Sequence, residues 1–233
     1  MTLCSVDGRE RWRYAPGRSV QTRAGSYPPP FSVRALAVTK LGDRMIIALS
    51  SSQHPYAPAQ VSLLSGDGKL LGEYWHFGHL PHIDFATREG HPLLYLGGIS
   101  NNEHAATLIV LDPMLMHDVR QASNGPFLGI ERLKENARIL FPRSTMNQRF
   151  ESYNGINMIE VVPEGLNIHD QERFGNGIGL TTIIYHLDPN LRLKDIGASD
   201  LFTLDHEHLL PSPGTMQEEI TRLTTAYRTS TLR

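Results

Sequence analysis

The sequence predicts an all-β protein closed by one C-terminal helix. Short runs rich in Val, Ile, Leu and aromatic residues recur along most of the chain, punctuated by Gly, Asp and Pro. The stretch 60–80 reads as strand, tight turn, strand, with Gly66-Asp67-Gly68 supplying the positive-φ residue that a hairpin needs. A degenerate copy occupies residues 5–14, and in both copies a Tyr stands seven residues after the Asp (Asp7 and Tyr14, Asp67 and Tyr74).

Residues 2–15 form the first predicted hairpin. Residues 16–32, with Pro16-Gly17 and Pro28-Pro29-Pro30, read as an extended connector, because consecutive prolines fit neither a helix nor a central strand. Four strands follow at 32–40, 44–50, 60–64 and 69–75. A second set is predicted at 82–87, 93–97 and 106–111, with a weaker fourth segment through Val119. This spacing is that of a four-stranded sheet repeated every ~40–50 residues.

The second half is less regular. Strands are expected at 136–141, 157–162, 166–169, 180–187 and 191–196, and Leu-Asp-Pro recurs at 111–113 and 187–189 after an apolar strand. Gly175 to Gly179 reads as a loop. Residues 216–228 carry the only convincing helical pattern: Thr215 as N-cap, Glu218 three residues on, and Ile220, Leu223 and Tyr227 on one face.

At 40% hydrophobic and 20% charged residues the composition is that of an ordinary globular chain, and 233 residues suffice for a substantial core. A net charge of -2 leaves no electrostatic footprint for nucleic acid. The basic cluster Arg9, Arg11, Arg13, Arg18 and Arg23 reads as the solvated face of an edge strand. Cys4 is the single cysteine, so no intramolecular disulfide or Cys-based zinc site is expected. No signal-peptide core or membrane-length apolar run is present, and a cytoplasmic, soluble protein is the expectation.

The strand, Asp-Gly-(Lys/Arg) and Tyr pattern, with Trp12 in one copy and Trp75 beside Tyr74 in the other, resembles blades of PQQ-dependent-dehydrogenase-like and WD40-like β-propeller repeats. It is also similar to propeller-like sensor domains C-terminal to bacterial regulators and Ser/Thr kinases. The resemblance spans residues 2–120 closely and 130–210 loosely. It implies a β-propeller-like array of four-stranded antiparallel blades, incomplete or of low blade number. A single domain over 1–233 is expected, with regular blades at 33–120 and an irregular blade plus the helix at 130–228. The enzyme constellation of quinone-binding propellers has no counterpart, so no cofactor is carried over.

Three polar clusters are candidates for chemistry. In His76-Phe77-Gly78-His79-Leu80-Pro81-His82-Ile83-Asp84, imidazoles three apart and a carboxylate are a metal-type donor set if Gly78 and Pro81 fold the segment back. On a straight strand His76 and His79 point to opposite faces, and the rings then serve packing. Asn101-Asn102-Glu103-His104 occupies a loop of the kind that lines ligand sites, or is a plain solvated turn. Asp205-His206-Glu207-His208 would place both imidazoles on one face of a strand, or lie exposed before the last helix. Glu131, Glu135, Glu151, Glu164 and Glu172 show no acid/base spacing. Nucleophile-elbow, phosphate-loop, dinucleotide and HExxH motifs are absent.

The expected function is a ligand- or protein-binding sensor or scaffold module without catalysis, contacting a small ligand or protein partner, with neither nucleic acid binding nor membrane insertion. The ligand-binding residues expected are His76, His79, Asp84, Asn101, Asn102 and His104. The alternative is a metal-dependent propeller hydrolase built on the histidine clusters.

Overall fold

A computed structural model describes residues 1–53, 57–173, 180–210 and 214–231. The chain is all-β with a C-terminal helix, as its strand-and-turn pattern predicts. The glycine-rich loop at 175–179 and Pro213 lie outside the described residues.

The N-terminal hairpin pairs β1 (Thr2–Cys4) with β2 (Glu10–Arg13), and a second small hairpin pairs β3 (Val20–Thr22) with β4 (Gly25–Tyr27). The latter corrects the reading of 16–32 as a plain connector. Val20 and Phe31 supply the reason, because both are buried against Trp75 and Phe127 and tie this stretch to the core.

The strands β5 (Ser32–Leu41), β6 (Arg44–Ser52), β7 (Ala59–Ser65) and β8 (Leu70–His76) form an antiparallel meander in chain order. Next come β9 (Gly78–Arg88), β10 (His91–Ser100), β11 (Ala105–Leu111), β12 (Asp118–Gln121), β13 (Glu131–Arg132) and β14 (Ala137–Phe141). The segment through Val119 does not complete the second set. It is β12, which pairs parallel with β8, while β14 is the fourth strand of the β9–β10–β11 sheet. Gly72 makes the β12 pairing possible: a Cβ there would stand 2.2 Å from the Met116 carbonyl oxygen.

After a short helix, α1 (Thr145–Arg149), a third meander runs through β15 (Asn154–Val162), β16 (Gly165–Arg173), β17 (Leu180–Leu187) and β18 (Leu193–Ala198), all antiparallel. Two helices follow, α2 (Asp200–Leu209) and α3 (Met216–Thr231). The capping box of α3 is realised in both directions: Thr215 Oγ1 accepts from the Glu218 N–H at 3.2 Å, and the Thr215 N–H donates to Glu218 at 2.6 Å. The other two helices correct the expectation of a single one. Ser144 and Ser199 cap them, accepting from the N–H groups of Asn147 and Phe202.

The two Asp-Gly turns are the same structure. Ser5 and Ser65 each accept from the N–H of the glycine three residues on, at 2.9 Å, and each side chain donates to the intervening Asp. Gly8 and Gly68 have φ of 84° and 82°. Both Leu-Asp-Pro sites also share a device: Asp112 and Asp188 accept from backbone N–H groups two residues on, at 2.8 and 2.7 Å.

The fold comprises two compact units. The first holds residues 1–96, 100–102 and 109–137, and the second holds 97–99, 103–108 and 138–233. The core of the first is aliphatic, with Ala48, Val61, Leu63, Leu94, Leu96 and Ile109 around the buried Tyr74. On the other face of the β5–β8 sheet, Ile47, Leu49 and Leu64 are covered by Met1, Trp12 and Tyr14 of the N-terminal hairpin. In the second unit Phe141, Tyr185 and Tyr227 pack ring to ring, with centroids 4.8–5.9 Å apart.

Candidate functional site

The residues nominated from sequence occupy several environments. His76 ends β8 and is buried. The chain bends at Phe77 into β9, a strand of a different sheet, and Gly78 and Pro81 lie within β9 and do not fold the segment back. His79, His82 and Asp84 lie along β9, half-buried. Burial, with repulsion from Arg34 and His82, pushes the His79 imidazole down to about 4. Asp84 accepts from the N–H of Phe85 at 2.7 Å.

Asn101, Asn102 and His104 sit in the turn between β10 and β11. The Asn101 N–H donates to the Phe77 carbonyl at 3.0 Å, which holds this turn against the β8–β9 junction, and Asn102 donates to the Asn124 carbonyl at 3.0 Å. His104 groups with the second unit, 3.3 Å from the Tyr153 hydroxyl. The Asp205–His208 stretch is helical, so His206 and His208 do not share a strand face: His206 is buried and His208 exposed. Among the described residues no three His, Cys, Asp or Glu side chains are grouped as a metal ion requires.

The strongest polar constellation lies in the second unit and was passed over in the sequence. On β16, Leu166, Ile168, Asp170 and Glu172 alternate onto the buried face, so the strand carries its apolar period straight into two carboxylates. Both acids have no exposed surface. The register sets Asn154 and Thr181 on either side of Glu172, and Ile156 and Ile183 on either side of Asp170. Asn154 donates to Asp170 at 2.7 Å. Ser144 donates its N–H to Glu172 at 2.7 Å and its hydroxyl to the other carboxylate oxygen.

Burial dominates the electrostatics here. Burial and the neighbouring Glu172 push Asp170 well above the usual carboxylate range. Burial carries Glu172 up to about 7, with the two Ser144 bonds resisting. Asp170 Oδ1 and Thr181 Oγ1 lack hydrogen-bond partners among the described residues. A proton on Asp170 would remove a buried charge, which is the direction in which burial pushes this group.

A third acid completes the frame. Glu219 of α3 accepts from the Thr145 N–H at 2.8 Å and the Thr145 hydroxyl at 2.7 Å. Arg222 donates to it at 2.7 and 3.1 Å and also to the Arg143 carbonyl at 2.8 Å. Burial opposes the charge on Glu219, but the Arg222 and Thr145 bonds outweigh it and hold the carboxyl below its usual range. Glu172 and Glu219 thus grip successive N–H groups at the start of α1, one from the sheet and one from α3.

Thr145, Glu219 and Arg222 of this frame form one wall of a cleft of about 390 Å³ lined by residues of α1, α2 and α3. Thr145, Arg149, His206, Leu210, Glu218 and Arg222 face it. His206 is 2% exposed, stacks on Phe202 at 6.2 Å, and has no partner for Nδ1 among the described residues. None of the six residues nominated from sequence lines this cleft.

No family model matches the chain, and no curated protein matches it. No described helix is long and apolar enough to cross a membrane.

Proposed function

We propose that the chain is a non-catalytic binding module of propeller-like type whose small-ligand site is the cleft between α1, α2 and α3. The observation that carries this reading is how the buried acids of the second unit are held. Asp170 and Glu172 are sealed from solvent, and Glu219 is saturated by Thr145 and Arg222. An acid catalyst must reach its substrate by a direct hydrogen bond or through one water. Of the three only Glu219 lines the cleft, where it ties α3 to Thr145 of α1 beside a concavity of the size that small ligands occupy.

The propeller-like part rests on two features: a succession of sheets of six, four and four strands, and the duplicated Asp-Gly turn. Fold alone does not assign chemistry, so the site has to carry the function.

A thermal-shift screen of the purified chain against a small-metabolite library tests this. The expected result is at least one compound that raises the melting temperature of the parent and not of Arg149→Ala. Stabilisers that act equally on both proteins would remove the cleft from the account.

A further inference from the structure

We infer that the cleft ligand is a small zwitterion, of amino-acid or dipeptide size, carrying one anionic and one cationic group. This rests on the binding-module reading and names the ligand class for the same cleft. Among the described residues four charged side chains line it, and two of them are spent. Glu219 and Arg222 neutralise one another through two hydrogen bonds, and both hold α1 in place through Thr145 and Arg143.

The other two are open. Arg149 is exposed, at the end of α1, and its guanidinium makes no hydrogen bond or ion pair among the described residues. Glu218 gives one carboxylate oxygen to the Thr215 N–H, and its other oxygen has no described partner. One free guanidinium and one free carboxylate on the rim of one cleft match a ligand bearing both signs. A ligand with a single charge would pair with one of them and leave the other in water, so both rim charges add to affinity only for a ligand that carries both signs. Leu210 and the ring of His206 also line the cleft. A volume of about 390 Å³ stands at the small end of ligand pockets, which limits the ligand's size.

The test is isothermal titration of the full chain with the free L-amino acids and γ-aminobutyrate. Butyrate and butylamine serve as singly charged controls. The expected result is a zwitterion with Kd of about 1 mM or tighter, weakened roughly tenfold or more by Arg149→Ala and by Glu218→Gln. Glu218→Gln keeps the capping box, so its folding is preserved. Butyrate binding as well as the zwitterion, with Glu218→Gln silent, would overturn the ligand class and leave the binding module standing. If no compound binds and the parent protein turns over an ester or lactone, both readings fall.

Discussion

Ser144 gives both its N–H and its hydroxyl to the carboxylate of Glu172, so a wholly buried acid on β16 holds the N-cap of α1. The same hydroxyl oxygen accepts from the Asn147 N–H at 2.9 Å. One side chain therefore joins the sheet to the helix start, and the cleft wall depends on it.

Ser144→Ala removes the cap and one of two donors to Glu172. The expected loss is about 1–3 kcal/mol, combining a lost N-cap with an under-bonded buried acid. Urea denaturation measures it. A change below about 0.3 kcal/mol, in the range of a neutral surface substitution, would show that the segment is held by other means.

The raised acids make a prediction about pH. Glu172 has a folded value of about 7 against an ordinary 4.5, so the folded state binds the proton more tightly than the unfolded chain. Its contribution is fully present below about 4.5 and is lost as pH rises through about 7. Asp170, raised in the same direction, adds to the loss of stability as pH rises. Glu172→Gln and Asp170→Asn, both neutral, should flatten the decline in stability between pH 5 and 8. The difference between parent and variant isolates the effect. Equal slopes in all three proteins would show that these acids do not titrate in this range.

His79 works in the opposite direction. Its folded value, near 4, lies below the ordinary 6.5, so its contribution is present above about 6.5 and is lost as pH falls through 4. His79→Gln should remove part of the acid-side decline while leaving the neutral side unchanged. An unaltered acid limb would mean that the ring is solvated.

The duplicated turn supplies an internal control. Gly8 and Gly68 share one turn and one φ, but a Cβ at Gly8 meets nothing within 4 Å, whereas one at Gly68 stands 2.5 Å from the Trp12 ring. Gly8→Ala should cost about 1–2 kcal/mol, the left-handed penalty alone. Gly68→Ala should cost more, and Trp12→Ala should remove the excess. Equal costs at the two glycines would show that Trp12 does not seat on the turn.

Much of this fold was legible in the sequence because it is written locally. Asp-Gly turns, Leu-Asp-Pro stops and the Thr215–Glu218 capping box act over a few residues and announce their geometry. The parallel pairing of β12 with β8 was not legible, because it depends on Gly72 yielding space to a distant backbone. Helix α2 was obscured by Asp205-His206-Glu207-His208, whose alternation imitates a strand, although Ser199 offered an N-cap signal. The acid frame was missed because Asp170 and Glu172 look like surface charges until their period is read together with Leu166 and Ile168. Their partners Ser144 and Asn154 lie 28 and 16 residues away in sequence, a separation that no local pattern encodes.

The central claim is binding without catalysis. The most direct measurement is turnover by the purified chain on ester, lactone and phosphoester substrates, with and without added zinc, manganese and calcium. No rate above the buffer blank is expected under any of these conditions. A metal-dependent rate that disappears in His76→Ala or His79→Ala would contradict the account and return the histidine segment of β8 and β9 to the centre of the chemistry.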